Sequence, residues 1–482
     1  MTRIPKTVAL LALVVGAGCR DSYPNQQVPA DVLYYPVGIG VRQMAPDPST
    51  PGKEHGWSQL VVVNSNFDLR YDERTGGSVL VVDPDASTDT SQGGSLDVLG
   101  YVPVASFGGE VAIVDGGCQP GWPDCPTACS TLSADPVLAA GGAQVVLASR
   151  ASQLLYRLSM DASGALACSG ACQYTLPIDR LDPYGVSVAC SDSAGFPVAY
   201  AYVSHLMAAN NLGWLSRLDL LSPVDPVGLV LGFEGTYSSI FDRVNDRLFV
   251  TSSISLDQQF RWFNPLVTAS EVNGFAVPDY AAAYFSTLLT GAAARDMAVS
   301  SDGLTLYVTV DLIDTQAAAM SGALFSQGGA VAVFDLSPSS FGEPRMALQG
   351  LVRTCLGVGQ IRRLPARPGK PDLLAVTCDV EGALAILDTR SRTVVRYVGL
   401  DAGTGLPVLG RSPFGVAVEP VDPARAIVDV AGSAYEPSPC VQGGDCHRIY
   451  VASFLDNWVN ILELDPDRPT EAALVKRIGR GP

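Results

Sequence analysis

Histidine is nearly absent from this chain, with His55, His205 and His447 the only three among 482 residues. The sequence holds no HExxH, no GxSxG, no Walker loop and no GxGxxG. Zinc hydrolysis and serine-triad hydrolysis of the common kinds are therefore poorly supported. Charge is scarce as well, at 16% of residues, and the 31 Lys and Arg against 48 Asp and Glu leave a net −17. A field of that sign repels phosphate backbones and anionic headgroups. No nucleic-acid partner is expected, nor adhesion to lipid through a basic face. What the chain has is apolar side chains, at 47%, and turn formers, with 48 Gly and 34 Pro. That combination buries a large core and turns often, so short strands are expected rather than long helices.

The chain opens MTRIPKTVALLALVVGAGCRD. Arg3 and Lys6 precede an apolar run of eight, residues 8–15, and then Gly16-Ala17-Gly18 before Cys19. The run is a secretory signal, too short to span a bilayer. Small residues directly before a cysteine resemble the lipobox of bacterial lipoproteins, with one departure: Gly16 stands where that family usually has Leu. The resemblance implies cleavage after residue 18 and lipidation of Cys19. The expected organisation is a signal peptide (1–18), a tether (19–34) and one domain (35–482). The partner so implied is a membrane, reached through the lipid and in all expectation the outer membrane. Of eleven cysteines, removal of Cys19 leaves ten, an even number suited to five disulfides in an oxidising compartment. Local pairing suggests Cys440 with Cys446 and Cys355 with Cys378. Cys118, Cys125, Cys129, Cys168, Cys172 and Cys190 would supply the rest, with connectivity open. The segment CVQGGDCH has too wide a spacing for haem attachment, and CPTAC and CSGAC read better as disulfide loops than as metal sites.

Two strand-like patterns alternate along the chain, seven of each. The first appears as LVVVNS from Leu60, VVLAS from Val145, AYVSH from Ala201, LFVTS from Leu248, LYVTV from Leu306, LAVTC from Leu374 and IYVAS from Ile449. The second ends at Asp83, Ser159, Asp219, Asn264, Asp335, Asp388 and Glu463. A third run precedes most pairs, as in PVGIGV, PYGVSV, RDMAV and PFGVAV, and a fourth follows several, as in VVRYVGL and LVKRIG. Four short strands in each of seven units predict an all-β, seven-bladed β-propeller with four-stranded blades. Either each unit supplies all four strands, or a segment near ADVLYYP completes the last blade. The acids closing the third strands are expected to cap turns rather than to form a ring of carboxylates.

The LYVTV…GGAVAVFDLSP, SPFGVAVEP and IYVAS…NWVNILELD segments resemble the YVTN family of propeller repeats, close to the NHL and lactonase-like propellers. The resemblance covers residues 35–480, well in units 5 to 7 and weakly in units 2 and 4. It implies ligand sites on the face carrying the loops between second and third strands, here called the top. The candidates there are Asn64, Asn66, Asp68, Tyr184, His205, Asn210, Tyr237, Arg295, Asp296, Asp311, Asp314, Gln360, Asp379, Asp456 and Trp458. The Ala-rich insertions 278–295 and 314–329 read as short helices capped by Asp279 and Asp314, placed to form a partial lid.

The leading functional expectation is a monomeric, non-catalytic binding or scaffold module, exported and lipid-anchored, with no cofactor. The alternative implied by the resemblance is a lactonase-like hydrolase with a divalent cation such as Ca²⁺. Asn64, Asp296, Asp311 and Asp379 would supply the oxygen ligands. A quinone-dependent dehydrogenase-like propeller is a third reading that no residue favours.

Overall fold

The computed structural model describes residues 25–479 apart from 91–92, 116–131, 133–134, 169, 178–181, 192–197, 208–212, 232–234, 253–258, 265–269, 273–274, 279, 285–291, 314–325, 341–342, 400–407 and 429–434. Within it the seven units fold as seven antiparallel sheets in chain order, each running from an inner first strand to an outer fourth. Blade 1 is Pro36–Met44, Trp57–Asn64, Gly77–Asp83 and Asp97–Val104. Blade 2 is Gly108–Asp115, Ala143–Ser149 and Leu154–Met160, with an outer strand split into Leu166–Ala167 and Gln173–Thr175. Blade 3 is Pro183–Ser191, Val198–His205, Trp214–Asp219 and Val227–Val230. Blade 4 is Ser239–Asp242, Arg247–Val250, Gln259–Phe263 and Tyr280–Tyr284. Blade 5 is Ala292–Val299, Thr305–Ile313, Ser326–Asp335 and Ala347–Arg353. Blade 6 is Val358–Arg363, Leu373–Cys378, Ala383–Asp388 and Thr393–Val398. Blade 7 is Pro413–Val421, Cys446–Ser453, Trp458–Leu464 and Ala473–Gly479.

The middle strands explain why the blades stack. Every residue of Trp57–Asn64 and Gly77–Asp83 is buried, because both faces of a blade meet a neighbour. Leu60, Val62 and Leu80 pack toward blade 7 against Tyr450 and Ile461. The intervening Val61, Val63 and Val79 pack toward blade 2 against Val145, Leu147 and Leu158. Each such aliphatic side chain contributes about 1.5–3 kcal/mol by leaving water.

Two expectations need correction. The segment 280–284 is not helical; it forms the outer strand of blade 4, pairing with Gln259–Phe263. Ala-rich sequence is a weak prior that sheet pairing overrides here. Between third and fourth strands blade 4 also sends out a hairpin, Ser270–Val272 with Phe275–Val277, that adds to the outer edge of blade 3. Asp279 and 314–325 lie outside the described residues, so the lid has no described counterpart. The helices described in full are Pro136–Ala139 and three short 3₁₀ turns.

The second correction concerns the acids at the ends of third strands. Asp83, Asp219, Asp335 and Asp388 do cap turns, each accepting a backbone N–H two residues on. In blades 2 and 7 that work falls two residues later, to Asp161 and Asp465. Glu463 instead is fully buried on Arg448, with Ser438 and the N–H of Ile427 as further donors.

The ring closes without a shared strand. Blade 7 supplies all four of its strands, and residues 30–35 form none. Charge makes the junction of blades 7 and 1 instead. Arg448 and Arg425 both hold Asp85, Glu419 accepts from Ser58 and Tyr450, and Lys476 donates to the carbonyls of Pro84 and Asp85. Burial alone would raise Asp85, but the two guanidinium charges outweigh it and hold the acid at about 2. Above, Asn457 accepts the N–H of Tyr35 and Leu33 is buried in the shared core.

The expected disulfides Cys355–Cys378 and Cys440–Cys446 are formed, and Cys168–Cys172 is a third. Cys190 is also disulfide-bonded. Cys19, Cys118, Cys125 and Cys129 lie outside the described residues. No described helix is long and apolar enough to cross a membrane.

Candidate functional site

The first strands line the axis, and six of the seven break register near their top ends, at Pro36/Gly38, Gly108/Val111, Pro183/Val186, Ala294/Met297, Val358/Ile361 and Pro413/Val416. A bulge places one residue outside the ladder and re-aims its side chain. The residues so released include Glu110, Tyr184, Asp296, Gln360 and Phe414. The Gln360 Nε2 of blade 6 donates to Glu110 Oε1 of blade 2 at 2.6 Å, a bond that crosses the axis. Gln360 Oε1 accepts from the N–H of Val416 in blade 7. Asp296 binds Arg362 Nη1 at 2.6 Å, the N–H of Ile361 and Ser238 Oγ. Tyr184 of blade 3 meets Tyr237 at 5.2 Å and, across the axis, Phe414 of blade 7 at 6.1 Å between ring centroids. These groups close the top of the axis.

A second-strand hydroxyl anchors one axial residue in each of blades 3 to 6, three of them released by a bulge and Ser238 just ahead of its strand. Ser204, Thr251, Thr309 and Thr377 accept the N–H of Gly185, Ser238, Asp296 and Gln360. Each also donates to a carbonyl of the next blade, respectively Tyr237, Arg295, Gly359 and Phe414. Blades 7, 1 and 2 carry Ala452, Val63 and Ala148 at that position. There the backbones approach through glycine instead: a Cβ on Gly38 would lie 2.5 Å from the carbonyl oxygen of Gly109.

Burial dominates the electrostatics of this closure. Glu110 is pushed up to about 8, first by burial and then by the Asp296 charge, with Arg362 and Gln360 opposing. Burial thus favours its neutral form. Burial also raises Tyr184 far above the ordinary phenol range.

Below the closure the axis opens. A cavity of about 760 Å³ runs between all seven first strands to the face that carries the turns between first and second strands. Its walls are aliphatic: Val41, Ile113, Val188, Ile240, Val299 and Val418. Most charged groups near the walls are buried between blades and paired, as Arg42 is with Asp115 and Glu419 with Ser58 and Tyr450. Arg362 is bonded through Nη1 alone, to Asp296 and the carbonyl of Ile361. It lies deep in the protein yet keeps 34% of its side-chain surface exposed, because it borders the channel. At the mouth His55 faces Asp422 at 3.7 Å.

The expected top-face residues separate into three groups. Tyr237, Asp296 and Gln360, with Tyr184, meet at the closure. Arg295, Asp311 and Asp379 form a second group above it: Arg295 Nε donates to Asp311 at 2.6 Å, and its charge also acts on Asp379, which burial raises. The others serve local architecture. Asn64 clamps Val32, Tyr34 and Ser78, and Asn66 holds Tyr71 and Ser106. His205 bonds Ser216, Asp456 holds Arg411, and Trp458 donates to Leu409 beneath Arg477. Asp68 accepts from Tyr34, while Asn210 and Asp314 lie outside the described residues. The four residues named for a cation do not converge: Asn64 sits in blade 1, Asp296 on Arg362, and Asp311 on Arg295, whose charge also acts on Asp379.

Three features went unnoticed in the sequence: Glu110, Arg362 and an aromatic patch on top of blades 7, 1 and 2. In the patch Phe67, half exposed, contacts Tyr35, Phe107 and Phe454. The signal for Glu110 was positional, since it directly precedes the residue at which the ladder resumes, Val111, as Asp296 precedes Met297 and Gln360 precedes Ile361.

No family model matches the chain, and no curated protein does. Among solved structures, Kuenenia stuttgartiensis hydrazine synthase aligns with a TM-score of 0.48 at 14% identity, over 90% of this chain and 96% of that one. Kluyveromyces lactis Hsv2 aligns at 0.42 and 11%, over 87% and 94%. A functionally unknown protein from Desulfotomaculum acetoxidans DSM 771 aligns at 0.46 and 10%, over 84% and 94%. These are similarities of fold.

Proposed function

We propose that this propeller is a non-catalytic binding module whose ligand enters the axial channel from the bottom face. The observation that carries the reading is the channel: about 760 Å³, aliphatic along its walls, closed at one end by paired polar groups and open at the other. Concave, mostly apolar sites of that size with few polar groups are the usual form of small-molecule sites. Chemistry is less favoured, because the carboxylates of the closure and of the group above it are engaged with arginines or amides. Export and a lipid on Cys19 complete the proposal, resting on the leader and on disulfides suited to an oxidising compartment. The YVTN-like repeat type belongs to the same reading.

Titration of the purified, exported protein with the neutral dye N-phenyl-1-naphthylamine tests the binding role. Saturable, one-to-one fluorescence enhancement is expected; a linear, unsaturable response contradicts it. For the anchor, labelled palmitate should enter the wild-type protein and not Cys19→Ser.

A further inference from the structure

We propose that the channel takes a monocarboxylate with an aliphatic body, its head on the Nε–Nη2 edge of Arg362 and its chain running toward the bottom mouth. The inference rests on the channel reading above and adds the ligand class. Arg362 directs Nη1 to both of its protein acceptors, Asp296 Oδ2 at 2.6 Å and the carbonyl of Ile361 at 2.8 Å. Nε and Nη2 have no acceptor among the described residues, and the side chain remains 34% exposed at the blind end of the channel. A guanidinium presents those two donors as a parallel fork that fits a carboxylate in two hydrogen bonds. Asp296 fixes the other side of the plane, so the fork is oriented before any ligand arrives.

The walls select the rest of the molecule. From Ile39 to Met44 the first strand of blade 1 runs five residue steps, about 16 Å of channel. Val41, Ile113, Val188, Ile240, Val299 and Val418 are the aliphatic residues along that length, and among the polar ones between them the Ser187 hydroxyl is bonded to Ser239 and Arg42 to Asp115. A chain of methylenes gains about 0.8 kcal/mol for each group it removes from water there. Charge limits the head to one negative unit. Asp296 already neutralises Arg362, so a dianionic phosphate would bring a second negative charge against the Asp296 carboxylate.

Glu110 makes the head group's affinity depend on pH. The groups facing it are Arg362 and Gln360 of blade 6, Asp296 of blade 5, Tyr184 of blade 3 and Tyr237 of blade 4. While Glu110 is neutral the blind end tolerates an incoming carboxylate. When Glu110 ionises, near pH 8, a like charge stands beside the site and the carboxylate weakens.

Displacement of the neutral dye tests this with dodecanoate, dodecanol, dodecylamine and dodecyl phosphate on the exported protein. Dodecanoate should bind about tenfold to a hundredfold more tightly than dodecanol, as two charge-assisted bonds allow, with the amine and the phosphate weaker. Arg362→Lys keeps a cation for Asp296 but lacks the fork, and should erase most of that preference while the dye still binds. In the wild type the preference should fall above pH 8, and Glu110→Gln should flatten that fall. Equal affinity for acid, alcohol and amine, or a preference that survives Arg362→Lys, overturns the ligand class while leaving the channel reading intact. Loss of dye binding in the wild type overturns both.

Discussion

The two ends of the axis are built from the same seven first strands and differ in what those strands carry. At the top, side chains from blades 2 to 7 meet, and Gln360–Glu110 and Tyr184–Phe414 span the ring. At the bottom the strands carry aliphatic residues too short to meet, and a cavity remains. A ring of sheets has no intrinsic reason to be closed at one end. The bulges make the difference, because in six of the seven first strands they re-aim residues only near the top. Structural cost is thereby concentrated at one end and accessible apolar surface at the other, so mutations at the two ends should have opposite signatures.

The largest stability loss is expected from Asp296→Ala. It strands the Arg362 guanidinium in the protein interior and removes the acceptor of Ser238 and of the Ile361 N–H. Breaking a buried pair from one side costs about 3–5 kcal/mol, readable as a lowered urea midpoint. Gln360→Leu should cost less, about 1–3 kcal/mol, since Glu110 and the Val416 N–H lose a partner. Thr309→Val removes one hydroxyl joining blades 5 and 6 and should cost about 1–2 kcal/mol by the same measurement.

The top should also govern pH dependence. Glu110 has a folded pKa raised from 4.5 to about 8, so between those values the native state binds more protons than the unfolded one. Stability therefore falls as pH rises through that window and is fully kept below it. Melting temperatures from pH 5 to pH 9 should decline less in Glu110→Gln; an unchanged decline would show that another group governs it. The smallest stability effect is expected at the bottom. Val41→Trp extends a partly exposed wall residue into open channel and should change stability by no more than about 0.5 kcal/mol.

Much of this architecture was legible in the sequence, for a physical reason. Second and third strands are buried on both faces, so their alternating apolar runs repeat with little freedom, and all seven pairs can be read directly. The hydroxyls in AYVSH, LFVTS, LYVTV and LAVTC are part of the same repeat because they join one blade to the next. Less legible was what each blade sends to the axis. One position per first strand holds Gly38, Glu110, Gly185, Ser238, Asp296, Gln360 and Gly415, and no composition rule unites them. Arg362 was hidden in an IRRL run that reads as an ordinary strand end. The outer strand of blade 4 was obscured by an Ala-rich sequence, and Glu463 by a capping acid that falls two residues later in blade 7, as it does in blade 2. The expectation of a site on top came from the family resemblance, while the cavity depends on side-chain size along the axis, which no repeat pattern reports.

Dye titration of two variants separates the two ends most directly. The competing place for an apolar dye is the top aromatic patch around the half-exposed Phe67. With saturable binding in the wild type, Val41→Trp should lose most of it and Phe67→Ser should retain it. Retention in Val41→Trp with loss in Phe67→Ser would place the ligand on the top face and contradict the account.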